Sequence, residues 1–276
     1  MRTPDLTDLA EIALQAGALI LTVYGRADIA ATAKADGSPV TEADAKAEEL
    51  ILARLAALAP AIPIVAEEAA SRGAVFAQGT RFFLVDPLDG TKEFLSRNGE
   101  FTVNIALIED GVPIAGVVHA PAAETLHAGG AAGAWRARVR RGHIEAKHPI
   151  HVRTPAAAGL DVLASRSHMT AETQDFIRKL KVRTLVSAGS SLKFCRIAEG
   201  AADLYPRFGR TMEWDTAAGD AVLRAAGGHV ATRDGAPLVY GKRGQEDSDF
   251  ANPSFIAYGA FDAFALPAAG GTGSVC

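Results

Sequence analysis

A run of four apolar residues that ends directly in two carboxylates constrains this chain more than any other feature of its sequence. Residues 82–85 (FFLV) are followed by the segment 86–91 (DPLDGT). A short, wholly apolar run predicts a strand buried on both faces, so Asp86 and Asp89 lie at the end of a core strand. Two carboxylates and a loop carbonyl there can surround Mg²⁺, which prefers oxygen ligands. A plain turn with a helix-capping Asp89 or Thr91 explains the same residues about equally well.

Further acidic residues favour a metal site over a plain turn: Glu67 and Glu68, Asp215, and Asp44. The glutamates come directly after the apolar residues 64–65, where a surface pair would have no reason to lie. Asp215 precedes a predicted helix at 216–226, where an N-cap is its ordinary role. Thr41 and Asp44 have the spacing of a capping box, which is the structural alternative for Asp44.

The two halves of the chain differ in pattern. Periodicity predicts four elements in the first half: helices at 6–24 and 41–59, and strands at 101–108 and 112–120. The two strands are joined by Glu109-Asp110-Gly111, which indicates a hairpin. In the second half strands alternate with helices, which predicts an α/β layer.

The patterning lapses around residues 147–155. We therefore expect an N-terminal α+β metal-binding domain at 1–150 with an antiparallel sheet. A C-terminal α/β substrate-binding domain would follow at 151–266. The low-complexity tail at 267–276 is expected to be disordered.

Composition excludes several classes of protein. The net charge is −4, whereas a protein that holds nucleic acid polymers usually carries a positive excess. No stretch has about 18 uninterrupted apolar residues, so no transmembrane segment is expected. No secretory signal is visible at the N-terminus. Cys195 and Cys276 are far apart, which argues against a structural disulfide and fits a cytoplasmic location.

Charge is nevertheless unevenly spread. Residues 36–68 contain seven acids and two bases, a local charge of −5. Residues 165–210 contain nine bases and four acids, a local charge of +5. Two differing solvated faces would explain this, and so would a cleft with a cation-binding wall and an anion-binding wall.

Three motifs in order resemble the inositol monophosphatase superfamily of Mg²⁺-dependent, lithium-sensitive phosphatases: 65–68 (VAEE), 86–91 (DPLDGT) and 214–219 (WDTAAG). The resemblance extends to about Ser254. Longer strings resemble the CysQ-type 3′(2′),5′-bisphosphate nucleotidases: 86–94 (DPLDGTKEF), 98–107 (NGEFTVNIAL), 165–168 (SRSH), 189–195 (GSSLKFC) and 198–209 (AEGAADLYPRFG). The superfamily resemblance implies a layered αβαβα fold with an N-terminal α+β part and a C-terminal α/β part.

The resemblance also implies roles for individual residues. Glu67, Asp86 and the Leu88 carbonyl would bind one Mg²⁺, and Asp86, Asp89 and Asp215 its neighbours. Asp44 and Thr91 would orient and deprotonate the attacking water. Every one of these positions holds the expected residue type.

Substrate choice is expected to come from the basic half. Ser190, Ser191 and Lys193 lie at the predicted start of a helix after Gly189, where N–H groups, hydroxyls and an ammonium can converge on a second phosphate. Arg207 and His168 resemble positions that contact nucleotide in the bisphosphate nucleotidases. Ordinary solvated charge is the alternative for Lys193 and Arg207. The substrate-binding set that this implies is Glu67, Gly90, Thr91, His168, Ser190, Lys193, Arg207 and Asp215. An inositol monophosphate would leave the basic cluster unpaired. The expected reaction is therefore hydrolysis of adenosine 3′,5′-bisphosphate to AMP, with 3′-phosphoadenylyl sulfate as a second substrate.

Two rival functions stay open. One is an inositol or other sugar monophosphatase with the same metal site, and the other is a catalytically silent binding protein on the same fold. The superfamily often forms dimers, but no residue here decides for a homodimer. Some bacterial relatives associate peripherally with the inner membrane; no basic amphipathic segment here argues for it.

Overall fold

The computed structural model of the protein describes residues 4–34, 37–76, 79–166 and 168–265. Its helices are α1 (Leu6–Tyr24), α2 (Glu42–Leu58), α3 (Glu67–Ser71), α4 (Thr91–Leu95), α5 (Ala171–Arg178), α6 (Leu192–Ala198) and α7 (Glu213–Ala225). Its strands are β1 (Ala31–Ala33), β2 (Pro39–Thr41), β3 (Ile64–Ala66), β4 (Arg81–Asp89), β5 (Thr102–Glu109), β6 (Val112–Ala120), β7 (Thr125–Gly130), β8 (Gly133–Arg140), β9 (His143–Ile144), β10 (His148–Ile150), β11 (Leu160–Ser165), β12 (Val182–Ala188), β13 (Leu204–Arg207), β14 (His229–Thr232) and β15 (Phe255–Tyr258). The predicted tail at 267–276, with Cys276, lies outside the described residues.

Two sheets are stacked between helices in five layers. The larger sheet has the order β10-β8-β7-β6-β5-β4-β3, with β9 paired to β8, and the smaller has the order β12-β11-β13-β15-β14. Helices α1 and α2 cover one face of the larger sheet, α6 and α7 lie between the sheets, and α5 covers the outer face of the smaller one. The predicted layered αβαβα fold is confirmed.

The inner strands β11, β13 and β15 of the smaller sheet are buried on both faces, to which successive side chains of a strand point in turn. The edge strand β12 is exposed at residues 183–187. Val162 and Leu204 pack in one cluster with Ile177 of α5. Their neighbours Leu163 and Tyr205 pack on the other side, in the cluster that contains α6 and α7. This two-sided burial explains why the strands read as apolar runs.

Helix α1 begins and ends close to where its periodicity predicts. The Asp5 side chain accepts the backbone N–H groups of Thr7 and Asp8 at 2.8 and 3.0 Å, which completes a capping box. By length and composition alone, α1 could cross a membrane; no other helix in the described ranges passes that test. Its apolar face, which includes Leu9 and Ile20, is buried against the sheet and α2, and this packing accounts for its composition.

The larger sheet is antiparallel except at one edge, where β3 runs parallel to β4 and pairs Val65 with Leu84. The N-terminal sheet is therefore antiparallel, as expected, apart from this one parallel pair. A parallel pair needs a crossover connection, and α3 with the loop after it supplies one. Because the two strands end at the same edge, Glu67 and Asp86 are brought together there.

Two glycines let α7 approach the larger sheet closely. A Cβ added at Gly116 would lie 2.6 Å from Cβ of Ala221, and one at Gly129 would lie 2.5 Å from Cα of Val222. Larger side chains would push the helix away. The beginning of α7, which carries Asp215, therefore has a fixed position relative to the sheet.

The predicted domain division at 150/151 falls between the two sheets in sequence. The principal core cluster nevertheless includes Val118 from the larger sheet and Leu163 from the smaller one. The two parts share buried apolar surface, and their description as separate metal-binding and substrate-binding domains stays a prediction.

Candidate active site

A cavity of about 630 Å³ is lined by residues from both parts of the chain. It contains every predicted metal ligand and substrate contact: Glu67, Asp86, Leu88, Asp89, Gly90, Thr91, His168, Ser190, Lys193, Arg207 and Asp215. Asp44 is buried and reaches the cavity through Thr91, to which it is hydrogen-bonded. Glu67 and Asp215, which are 148 positions apart in sequence, therefore line a single space.

The end of β4 places two of the carboxylates. Pairing with β5 is irregular between Asp86 and Asp89, so this segment leaves the regular ladder while staying against the sheet. Asp86 is 1% exposed, and its Oδ1 accepts the Leu88 N–H at 3.0 Å. Gly90 follows with φ 92°, a left-handed backbone that glycine adopts without strain and that turns the chain into α4.

Glu67 is the first residue of α3. Its Oε1 lies 2.7 Å from Nζ of Lys34, which also contacts Glu68 at 2.5 Å. Burial raises the pKa of Glu67, and the Lys34 charge opposes that shift. Lys34 comes from the β1–β2 hairpin, and sequence reasoning did not find it.

Asp215 lies in the first turn of α7 and is not its N-cap. The helix begins at Glu213, three residues earlier than the sequence predicts, with Met212 as the N-cap. The Asp215 Oδ2 accepts the Met212 N–H at 2.8 Å, as the N3 residue of a capping box does. The predicted start of the helix was wrong because an aspartate is common both at the N-cap and at the third helical position of a capping box.

Asp89 is held by two residues from other segments. Its Oδ2 accepts the Ser191 N–H at 2.6 Å and lies 2.9 Å from the Ser191 hydroxyl. Nδ2 of Asn104, on β5, lies 3.4 Å from the same oxygen and 2.9 Å from the Ser191 hydroxyl. Ser191 was expected to contact a second phosphate and not Asp89, and Asn104 was not among the predicted contacts.

The cavity concentrates negative charge on four carboxylates: Glu67, Asp86, Asp89 and Asp215. Burial is the main cause that raises the pKa of each one, and the neighbouring carboxylates raise the pKa values of Asp86 and Asp215 further. In the described part of the chain, no group of three or more Asp, Glu, His or Cys side chains has the spacing of a metal-binding site. The donor set still fits a hard divalent cation, because its ligands are all oxygen atoms and a cation would relieve their repulsion.

The Asp44 carboxylate is 1% exposed and fixed at both oxygens. Its Oδ2 accepts the Thr41 N–H and hydroxyl at 2.8 and 2.7 Å, which is the predicted capping box. Its Oδ1 accepts the Thr91 hydroxyl at 3.2 Å. Burial raises the pKa of Asp44. One carboxylate thus serves as helix cap and as partner of a cavity hydroxyl.

Arg207 and Lys92 are cations that line the cavity beside His168. The Arg207 guanidinium donates to the backbone oxygens of His168 and Arg210 at 3.0 and 2.9 Å. Its Nε is buried and has no hydrogen-bond partner among the residues described. Nε2 of His168 lies 3.5 Å from Nζ of Lys92, and burial and the nearby cations lower the pKa of His168.

Lys193 is buried, and its ammonium group holds the loop before α6. Nζ donates to the backbone oxygen of Ser190 at 2.6 Å and to that of Ala188 at 3.3 Å. Ser190 has φ 45°, an uncommon backbone for a residue with a side chain. Burial lowers the pKa of Lys193 to about 8, and the Asp89 charge opposes this. An ammonium has three donors, so one is left for a ligand.

Residues 4–254 match the sequence model of the inositol monophosphatase family. The chain belongs to this family. The 3′(2′),5′-bisphosphate nucleotidase CysQ of Escherichia coli K12 is 45% identical over 251 residues, which cover 91% of this chain and 98% of that protein. The enzyme of the same name from Shigella flexneri is 46% identical over the same shares of both chains. The family prediction is confirmed.

Solved structures of the inositol monophosphatase family share this fold. CysQ from Bacteroides thetaiotaomicron is 38% identical with a TM-score of 0.75, over 93% of this chain and 98% of that one. Inositol monophosphatase from Anabaena is 25% identical with a TM-score of 0.69, over 92% and 89%. Enzymes of the inositol monophosphatase family are metal-dependent phosphatases, and the predicted phosphatase class is confirmed at this level. Dimerisation and a cytoplasmic location stay predictions.

Proposed function

We propose that this enzyme hydrolyses the 3′-phosphate of adenosine 3′,5′-bisphosphate to give AMP and inorganic phosphate. The observation that carries the proposal is a single cavity lined by four carboxylates and by Lys193 and Arg207. A substrate with two phosphates can place one at the carboxylates, through cations, and the other at the basic side chains. The curated relatives' name, 3′(2′),5′-bisphosphate nucleotidase, supports this choice.

The carboxylates are proposed to hold Mg²⁺. Glu67, Asp86 and the Leu88 carbonyl would bind one ion, and Asp86, Asp89 and Asp215 its neighbours. When bound, Mg²⁺ neutralises charge on the phosphoryl oxygens and lowers the pKa of water. The ends of β3 and β4 and the first turn of α7 hold these oxygen ligands in place. Their raised pKa values mean that metal binding releases protons wherever a ligand is still protonated.

Asp44 and Thr91 are proposed to remove the proton from the attacking water. The Thr91 hydroxyl donates to Asp44, so its lone pairs are free to accept a hydrogen from water. As water attacks phosphorus, its proton moves to Thr91 while the Thr91 proton moves to Asp44. The bond between phosphorus and the 3′-oxygen breaks, and that oxygen takes up a proton from solvent water. The raised pKa of Asp44 makes it a better base.

The basic residues are proposed to bind the 5′-phosphate, which does not react. Arg207 offers a buried Nε with no other partner among the described residues, and Lys193 offers its third donor. His168 and Ser190 line the same cavity. The remaining contacts, at the reacting phosphate, are Glu67, Gly90, Thr91 and Asp215. 3′-Phosphoadenylyl sulfate carries the same 3′-phosphate and is proposed as a second substrate.

The rival functions make different demands on these residues. An inositol or sugar monophosphate would leave the buried Arg207 Nε without an anion, and a buried unpaired donor costs about 1–3 kcal/mol. A silent binding protein would have no use for the Thr91–Asp44 hydrogen bond. The bisphosphate uses both features.

A panel of phosphate-release assays tests the proposal. The substrates are adenosine 3′,5′-bisphosphate, 3′-phosphoadenylyl sulfate and inositol 1-phosphate, each with Mg²⁺ and with a chelator. We expect Mg²⁺-dependent release, and the kcat/KM for the bisphosphate should exceed that for inositol 1-phosphate by roughly a hundredfold or more, since each charge-assisted contact is worth about 1.5–3 kcal/mol. Preference for inositol 1-phosphate would identify a monophosphatase, and release from none of the three would identify a binding protein.

A further inference from the structure

Ser191 touches two of the carboxylate-bearing residues at once. Its N–H donates to Asp89 Oδ2 at 2.6 Å, and its hydroxyl lies 2.9 Å from the same oxygen. The hydroxyl also lies 2.7 Å from the backbone oxygen of Asp215. Ser191 is 1% exposed, so water does not compete for these contacts. Asp89 and Asp215 are 126 positions apart in sequence, and this one side chain bridges them.

Asn104 fixes the orientation of that hydroxyl. Its Nδ2 donates to the Ser191 hydroxyl at 2.9 Å and lies 3.4 Å from Asp89 Oδ2. The hydroxyl oxygen therefore accepts from Asn104, and its single proton goes either to Asp89 or to the Asp215 carbonyl. In both cases the side chain keeps the end of β4, the middle of β5 and the start of α7 together.

The buried Oδ1 of Asn104 has no hydrogen-bond partner in the described part of the chain. An apolar residue at 104 would avoid the cost of that unpaired oxygen. The reverse orientation of the amide would set Oδ1 against the Asp89 carboxylate, which is repulsive. The two contacts of Asn104 Nδ2, with the Ser191 hydroxyl and with Asp89 Oδ2, offset that cost.

Three polar groups converge on the same oxygen of Asp89. The Ser191 N–H, the Ser191 hydroxyl and the Asn104 amide all contact Oδ2. A carboxylate held in this way at one oxygen has its plane fixed, and it keeps Oδ1 for another partner. The carboxylate lines the cavity.

We propose that Ser191, supported by Asn104, is a positioning residue that fixes Asp89 for metal binding and ties it to Asp215. The inference rests on the proposed function, which makes both aspartates metal ligands. Ser191 itself binds neither metal nor substrate. It belongs to the loop that carries Ser190 and Lys193, so it also connects the substrate-binding loop to the metal ligands.

Calorimetric titration of the metal-stripped protein with Mg²⁺ tests this without substrate. The variants are Ser191→Ala and Asn104→Ala. Ser96→Ala is the matched control, because the Ser96 hydroxyl bonds the Glu93 backbone oxygen and no other group among the described residues. Groups that orient metal ligands typically contribute 10- to 100-fold in affinity. We expect Ser191→Ala to weaken Mg²⁺ binding by about tenfold or more, while Ser96→Ala leaves the affinity unchanged.

Two further readouts separate positioning from plain stability. The thermal midpoint of each variant shows whether it is folded, since a purely structural role would lower the midpoint and leave the Mg²⁺ affinity of the folded protein intact. The double variant should lose less affinity than the two single losses combined, because both residues act on the same oxygen. Folded Ser191→Ala with wild-type Mg²⁺ affinity would overturn the inference alone. A wild-type protein that binds no divalent cation would overturn the proposed function and the inference together.

Discussion

Thr91 donates a hydrogen bond of 3.2 Å from its hydroxyl to Oδ1 of Asp44, which joins the start of α4 to the start of α2. The other Asp44 oxygen is already occupied by Thr41. Asp44 is thereby held as a buried proton acceptor behind a hydroxyl that faces the cavity. In the proposed mechanism Asp44 accepts a proton, whereas Glu67, Asp86, Asp89 and Asp215 bind the cations.

Asp44→Asn is expected to slow the chemical step and to leave metal binding intact. The amide keeps the shape of the side chain but cannot take a proton from Thr91. General-base catalysis is typically worth about 10²–10⁴ in rate, so kcat should fall by that order. Phosphate release and Mg²⁺ titration on the same sample measure the two effects.

Glu49→Gln is the matched control for Asp44→Asn, because Glu49 is an exposed acid of the same helix. It should retain wild-type kcat. If Asp44→Asn turned over substrate at the wild-type rate, the base would have to be another group. If it lost Mg²⁺ binding in parallel with activity, Asp44 would be a metal ligand.

Lys193→Met and Arg207→Gln are each expected to raise KM for adenosine 3′,5′-bisphosphate. Charge-assisted contacts to phosphate are worth about 1.5–3 kcal/mol, which corresponds to roughly tenfold to hundredfold in KM. Adenosine 3′-phosphate lacks the 5′-phosphate, so its KM should change little. Equal losses for both substrates would show that these side chains only maintain the fold of the loop.

The affinity for bisphosphate is expected to fall at alkaline pH. Burial lowers the pKa of Lys193 to about 8, so its positive charge is present below that pH and is lost as the pH rises through it. KM for the bisphosphate should therefore rise between about pH 7 and 9.5. In Lys193→Met the KM should be high and independent of pH over this range. A wild-type KM that stays flat would contradict the role of the Lys193 charge.

Lithium is expected to inhibit the enzyme in the presence of Mg²⁺, as the family resemblance implies. Asp86, Asp89 and Asp215 offer oxygen ligands to any small hard cation. Inhibition curves with lithium chloride and sodium chloride at matched ionic strength measure the effect. Equal inhibition by both salts would show that the effect is general ionic screening and not occupation of a cation site by lithium.

The parts of the fold set by local signals could be predicted from the sequence. Helix α1 has a capping aspartate at one end, Gly25 at the other and an apolar stripe between them, so its bounds follow from neighbouring residues. The hairpin of β5 and β6 follows in the same way from its turn at Asp110 and Gly111, both with positive φ. The start of α7 was predicted three residues too late, because Asp215 accepts the N–H of the N-cap residue from the third helical position and is not the N-cap itself.

The contacts that complete the candidate site lacked such local signals. Ser191 meets Asp89 across 102 positions, and Asn104 meets Ser191 across 87. Lys34 reaches Glu67 from a short exposed hairpin whose sequence carries no chemical motif. These pairs arise only when segments far apart in sequence come together in the fold, and the carboxylate motifs identified the cavity without them.

The nucleotide product of adenosine 3′,5′-bisphosphate shows which phosphate the enzyme removes. In the proposed binding mode the 3′-phosphate lies at the carboxylates and the 5′-phosphate at Lys193 and Arg207. Wild-type protein with Mg²⁺ should release one phosphate and leave AMP with its phosphate at the 5′ position, as anion-exchange chromatography against both monophosphate standards would show. Accumulation of adenosine 3′-phosphate, or no turnover with Mg²⁺ present, would contradict the account.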